Sequence, residues 1–254
     1  SPNSDQYIEG YTEYLYQRLQ RQGVLHRECE RMVRVYRTVF AGCMVAAGDA
    51  DAIITGGTRS YNDVLDDIHR VLDPAPGSLV FGLSILVARG RTIFIADTTV
   101  HERPTAEELA GIAEQSARLA RLLGHEPRVA MLSFSNFGNP VRERTDRIRD
   151  AVGLLDERDV SFEYDGEMTV EVALNPALLA LYPFCRLSEP ANILVMPGLH
   201  AANISAQLLQ AFGGGTVIGP LVVGMSKPAQ IVQMGASDSD IVTMAALAAH
   251  GANS

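Results

Sequence analysis

Residues 191–212, ANILVMPGLHAANISAQLLQAF, hold a short apolar run at Ile193–Met196, a Pro197-Gly198 turn, and a helical pattern from about residue 201 to 212. Four apolar residues without alternation read as a strand buried on both faces. A turn that passes at once into a helix makes the strand-to-helix unit from which parallel sheets are built. The unit recurs on both sides. Val129–Phe134 precedes a helix from about 141 to 156, Val160–Tyr164 precedes one beginning near Met168, and Gln230–Met234 precedes one over Ser237–Ala249. A strand near Thr216–Ile218 leads into a Gly219-Pro220 turn. This alternation predicts an α/β fold with a largely parallel sheet.

Upstream, residues 5–21 (Tyr7, Ile8, Tyr11, Leu15, Leu19) and 26–47 (Met32, Val33, Tyr36, Val39, Phe40, Cys43) carry apolar side chains at three- and four-residue steps. Each segment ends at a glycine, Gly23 or Gly48, which predicts two helices. A short strand, Ala52–Thr55, runs into the turn Gly56-Gly57-Thr58-Arg59. Ser60 and Asp63 are placed to cap a helix reaching Leu72. Asp73-Pro74-Ala75-Pro76-Gly77 is a strong break and a candidate domain boundary. Beyond it, Leu79–Val87 and Thr92–Ile95 joined by Arg89-Gly90 predict an antiparallel hairpin. Thr105 and Glu108 predict a capping box at the head of a helix that stops at Gly124.

Composition removes several function classes. The chain has 254 residues, 21 Lys plus Arg, 30 Asp plus Glu and a net charge of −9, with 47 % hydrophobic residues. A nucleic-acid binder needs a basic face, which this balance opposes. No apolar run of about 18 residues suits a membrane span. The polar start SPNSDQYIEG is no signal peptide. Cys29, Cys43 and Cys185 are scattered and odd in number, against a zinc site or disulfide framework and in keeping with reduced thiols in the cytoplasm.

In α/β proteins ligands collect beyond the carboxyl ends of strands. The polar residues expected there are Ser133, Ser135, Asn136 and Gly138; Asp165, Gly166 and Glu167; Pro197, Gly198, His200 and Asn203; Gly219 and Pro220; Gly235 and Ser237; and Gly56 to Arg59. Asp165 and Glu167 read either as acid–base carboxylates or as a helix start complementing the dipole. Ser133 and Ser135 lack the G-x-S-x-G of a nucleophile elbow. His200 has no second ligand at metal spacing. Gly213-Gly214-Gly215 follows a helix and precedes a strand, the reverse of a phosphate loop, whereas Gly56–Arg59 has the right order to hold an anion. Arg142, Arg144, Arg147 and Arg149 beside Glu143, Asp146 and Asp150 read as a solvated helix face.

Six segments together carry a resemblance: GDADAIITGG (48–57), RPTAEELAGIA (103–113), RVAMLSFSNFG (128–138), FEYDGEM (162–168), ANILVMPGLHAANI (191–204) and GTVIGPLVVGMSKPAQIVQMGASDSDI (215–241). The chain resembles the phosphotransacetylase family. YLYQRLQRQG (14–23), ARGRTIFIADTTVHERPTAEELA (88–110), LYPFCRLSEPAN (181–192) and QIVQMGASDSDIVTMAALAA (230–249) resemble more narrowly the C-terminal phosphotransacetylase-like domain of bacterial multidomain NADP-dependent malic enzymes. The resemblance implies two three-layer α/β domains with a cleft between them. Residues 1–75 and 225–254 would form a partial first domain, its first strands lying before residue 1 in a longer polypeptide. Residues 76–224 would be inserted as the second. Homodimers or higher homo-oligomers are also implied, with no nucleic-acid or membrane partner.

The resemblance is informative where it fails. The family motif K-P-x-N-D-L-S-R-G uses its Ser and Arg on the acetyl-CoA transition state and on phosphate. Here Gln233 and Met234 stand in those places, after Lys227-Pro228. Methionine has neither charge nor donor for a phosphate oxygen, and losing such a contact costs about 3 kcal/mol of transition-state stabilisation. Phe137 likewise replaces a family lysine. The resemblance therefore implies a cleft that binds acetyl-CoA as a regulatory ligand without catalysis. NADP and a divalent metal would serve the malic-enzyme catalytic domain of the same polypeptide, and no cofactor is implied in this chain. The roles it implies place Ser135 and Asn136 at the thioester or pantetheine, and Arg59 and Lys227 at CoA phosphates. Asn203 would sit at the Pro197 loop, Asp165 and Glu167 at the cleft edge, and Gln233 and Met234 where catalysis was. An active phosphate acetyltransferase and a non-binding dimerisation module remain the alternatives.

Overall fold

Apolar spacing makes the first part of the chain helical, and the computed structural model describes residues 2–140, 143–212 and 214–252. The chain divides into two compact units, Ser1–Gly77 with Gly224–Ser254, and Ser78–Val223. In the first unit α1 (Pro2–Leu19) buries Ile8, Tyr11, Leu15 and Leu19 on one stripe. Gly23, left-handed at φ 85°, ends the turn that follows. The single helix expected over 26–47 is instead two, α2 (His26–Val35) and α3 (Arg37–Ala47), because Tyr36 is extended at φ −96°, ψ 104°. Val33, Val35, Thr38 and Val39 crowd this stretch with β-branched side chains, which weakens the helix there. The break lets Cys29 and Val33 before it, and Val39 and Cys43 after it, all reach the core.

The strand β1 (Ile53–Gly56) leads to α4 (Tyr61–Val71), whose cap Ser60 accepts from Asp63 N at 3.2 Å. Arg18 grips Asp73 with two bonds of 2.7 and 2.8 Å and so ties α1 to the chain leaving α4. After the second unit the chain returns as β8 (Ala229–Val232), parallel to β1, and ends in α10 (Asp238–Ala252).

The second unit is built on six strands: β2 (Phe81–Ala88), β3 (Arg91–Ala96), β4 (Arg128–Leu132), β5 (Glu163–Met168), β6 (Ile193–Val195) and β7 (Thr216–Val223). Their order is β5-β4-β6-β3-β2-β7. The first four run parallel, and β2 is antiparallel to both β3 and β7. The β2–β3 hairpin turns on Arg89 and Gly90 with φ 52° and 73°, the pair of positive angles a two-residue hairpin loop needs. Side chains alternate across the sheet. Ile93, Ile95, Ala130, Leu132, Leu194 and Met196 join one core cluster with Val172, Ala173, Leu179 and Ala202 from α7 (Val170–Leu174), α8 (Pro176–Leu179) and α9 (Leu199–Phe212). Phe94, Val129, Met131, Ile193 and Val195 alternate to the other face, which α5 (Ala106–Leu122) and α6 (Glu143–Glu157) cover.

Several expected boundaries move. The strand after α6 lies at Glu163–Met168, so Asp165, Gly166 and Glu167 belong to it and do not form a loop or helix start. The helix expected from Met168 is two short ones, divided where Asn175 precedes Pro176. The last strand of the unit runs through Gly219-Pro220, which form a bulge opposite Leu83–Ile85 and not a turn. A Cβ on Gly219, at φ 104°, would stand 2.9 Å from the Leu83 carbonyl, which accounts for the glycine. Residues Val141, Arg142 and Gly213, which figured in the helix start, the charged helix and the glycine triplet, lie outside the described residues. At the head of α5 the capping box forms as expected: Thr105 Oγ1 accepts from Glu108 N at 3.2 Å, and Glu108 accepts from Thr105 N at 2.7 Å. Thr105→Ala is expected to lower stability by about 1 kcal/mol, measured as the shift of the urea midpoint.

Candidate ligand site at the strand ends

Because β3, β6, β4 and β5 are parallel, their carboxyl ends share one edge of the sheet, and the chain leaves them at Asp97, Met196, Ser133 and Thr169. There the loop after β4 is joined to the end of β5 almost residue by residue. Ser133 N donates to the Met168 carbonyl and Phe137 N to the Glu167 carbonyl, both at 2.8 Å. Ser135 Oγ and Gly138 N both donate to Glu167 Oε1, at 2.9 and 2.8 Å. Asn136 Oδ1 accepts from Thr169 N at 2.8 Å and from its hydroxyl at 3.1 Å.

Two predicted site residues, Ser135 and Glu167, are thus brought together, but both are fully buried and occupied with each other. Ser135 does not present its hydroxyl outward as expected. Asn136 keeps a free function: with Oδ1 fixed on Thr169, its Nδ2 has no acceptor among the described residues. Arg149 of α6, read from sequence as part of a solvated face, reaches Glu167 Oε1 at 3.4 Å, while Glu167 Oε2 is buried without a donor among the described residues.

Asp165 accepts from Gly166 N and Arg186 N, both at 2.8 Å, and so secures the 180s loop. Asn203 reaches the Thr98 carbonyl at 3.4 Å, whereas the Pro197 carbonyl is held by Arg147 at 2.7 Å, the role expected of Asn203. His200 is exposed in the first turn of α9.

The end of β3 holds a cluster that sequence reasoning missed. Asp97 is 3 % exposed and accepts from the N–H groups of Gly82, Thr99, Val100 and His101 and from His101 Nδ1 at 2.7 Å. Burial pushes the Asp97 carboxyl up, but the hydrogen bonds from His101 and the backbone outweigh it and hold it below the ordinary carboxylate value. The bond to Asp97 raises the His101 imidazole against the opposing effect of burial.

In the first unit the candidates lie at the ends of β1 and β8. Arg59 is paired with Asp67 of α4, which is 1 % exposed and also holds Arg70, and lies 6.0 Å over the Tyr36 ring. Gly57 N donates to the Val232 carbonyl, so that N–H is not free for an anion. Lys227, the single lysine of the chain, is exposed just before β8. Gln233 and Met234 are exposed in the turn after it, Met234 at 66 %. Asp240 caps α10 through Ser237, with bonds of 2.8 Å from the Ser237 N and Oγ.

Among the described residues no cluster of His, Cys, Asp and Glu suits a metal ion, and no helix is long and apolar enough to cross a membrane. The phosphate acetyl/butaryl transferase family model matches residues 1–249. The chain belongs to this family. It is 55 % identical over 245 residues to an NADP-dependent malic enzyme of Rhizobium meliloti, covering 96 % of the chain and 32 % of that protein. It is 32 % identical over 258 residues to a phosphate acetyltransferase of Clostridium acetobutylicum, covering 97 % and 76 %. Among solved structures, a phosphotransacetylase from Streptococcus pyogenes superposes with a TM-score of 0.89 at 27 % identity, over 96 % of this chain and 75 % of that one. The chain spans about a third of the length of the malic enzymes it matches, and most of the length of the acetyltransferases.

Proposed function

We propose that this chain is a regulatory domain of a cytoplasmic NADP-dependent malic enzyme, and that it binds acetyl-CoA or a related CoA ester without transferring the acetyl group. The observation that carries this reading is the turn after β8. Gln233 and Met234 stand there in the open, where the family motif has Ser and Arg, and neither can carry charge to a phosphate oxygen. Asn136 Nδ2, fixed in orientation and free, is the donor for a carbonyl of the ligand. Ser135 acts behind it through Glu167. Arg59 and Lys227 are the cations for CoA phosphates, Arg59 sharing the carboxylate of Asp67 with Arg70. In this reading residues 1–75 and 225–254 are part of a first α/β domain into which 76–224 are inserted. The assembly is a homodimer or larger, and NADP and a divalent metal act in the catalytic domain of the same polypeptide.

Regulation follows by linkage: a ligand that prefers one arrangement of the polypeptide by about 1–3 kcal/mol shifts its activity accordingly. Calorimetric titration is expected to give a micromolar dissociation constant for acetyl-CoA and no heat with acetyl phosphate, with no CoA released from acetyl-CoA in phosphate buffer. Phosphate-dependent CoA release would make the chain an active acetyltransferase. A folded sample that binds no CoA ester would leave a dimerisation module.

A further inference from the structure

The loop from Asp97 to Pro104 is held at both ends. At its start the buried Asp97 carboxylate gathers four backbone N–H groups, including Gly82 N from β2, and the His101 ring. Farther along it leans on the first turn of α9. The His101 carbonyl accepts from Leu199 N at 3.1 Å, and the Thr98 carbonyl accepts from Asn203 Nδ2 at 3.4 Å. The Glu102 carbonyl lies so close to Gly198 that a Cβ there would meet it at 2.6 Å. His101 belongs to both attachments: its amide and ring bind Asp97, and its carbonyl binds Leu199. Its side chain is 16 % exposed against 3 % for Asp97, so the imidazole is the member of the pair with access to solvent protons.

We infer that Asp97 and His101 form a proton-operated clasp: with the imidazole charged, their ion pair locks residues 97–104 onto the first turn of α9, and loss of that proton loosens the loop. A neutral ring still donates one N–H to Asp97, so the loop relaxes without detaching. The charged groups acting on His101 are Asp97 and, from the first turn of α5, Glu108, and both favour the charged ring. The folded imidazole is raised above its ordinary 6.5. Its contribution is therefore complete below that value and is lost as the pH climbs through the folded value. Asp97 is lowered from 3.8, so its contribution is present above 3.8 and disappears as the pH falls through the folded value. The clasp is tightest between those two ordinary values. It goes beyond the function proposed above and holds whether or not the chain binds a CoA ester.

The test is an NMR titration of the six histidine rings in the whole chain, with His101 assigned through His101→Gln and by through-bond correlation in the unaltered protein. The expected His101 midpoint lies above 6.5. Amide protection at residues 199–203, corrected for intrinsic exchange, should fall through the same midpoint, about tenfold for each unit by which His101 is raised. In His101→Gln, which keeps a donor to Asp97 but cannot titrate, the protection should be flat across that range. A His101 midpoint at or below 6.5, or protection at 199–203 indifferent to pH in the unaltered chain, overturns the clasp, and both readings survive a variant that fails to fold.

Discussion

Asp97→Ala is expected to be the most damaging single substitution outside the apolar core, lowering stability by about 3–5 kcal/mol, the range for removing one partner of a buried charged network. The reason is the number of groups that depend on one carboxylate. Gly82, Thr99, Val100 and His101 all point their N–H groups at it, and Asp97 itself is 3 % exposed, so water cannot replace it without opening the loop. A buried donor left without an acceptor costs about 1–3 kcal/mol, and partial relaxation of the loop keeps the total below the simple multiple. Asp97→Asn keeps one acceptor oxygen in place and is expected to lose roughly half as much, about 2 kcal/mol. Urea unfolding followed by circular dichroism measures both, since the chain has no tryptophan to report by fluorescence. Equal losses for Ala and Asn would show that the charge, and not the gathering of N–H groups, holds the loop.

That such a residue escaped the sequence reading has a physical cause. The run Thr92–Ile95 looks like the second arm of a hairpin, and it is one. It is also the parallel neighbour of β6, a pairing about a hundred residues away that no local pattern reveals. Read only as a hairpin arm, its end did not qualify as a strand terminus where ligands and buried polar groups gather. The same limit explains β5: the strand expected at Val160–Tyr164 lies instead at Glu163–Met168, because Asp165, Gly166 and Glu167 look locally like a loop or helix start, while tertiary pairing with β4 makes them strand and buries Glu167. Elements fixed by local chemistry were legible, among them the Arg89-Gly90 turn, the Thr105 capping box and the strand-to-helix units after β4 and β6. Residues at 133–136 were correctly placed at a strand end. Which of them faces outward depended on Glu167 and Thr169, more than thirty residues downstream, and so could not be read from the stretch itself.

Glu167 supplies the second large effect, and its size depends on the substitution. Glu167→Ala removes the acceptor for Ser135 Oγ and Gly138 N and leaves Arg149 facing an empty place, which is expected to cost about 2 kcal/mol and to free the loop 133–138. Glu167→Gln is expected to stay within about 1 kcal/mol of the unaltered chain. The charge it removes is poorly compensated, because among the described residues its one cationic partner is a partly exposed arginine at 3.4 Å and one carboxylate oxygen has no donor. The glutamine oxygen still accepts from Ser135 and Gly138, and its amide nitrogen occupies the position where the carboxylate oxygen had no donor. The two variants also separate fold from site. If Asn136 is oriented by this loop, Glu167→Ala should weaken acetyl-CoA binding at least tenfold while Glu167→Gln binds as the unaltered chain does, both read by calorimetry on samples with native circular dichroism. Full affinity in Glu167→Ala would separate the loop from the ligand and return Ser135, Asn136 and Glu167 to a purely structural role.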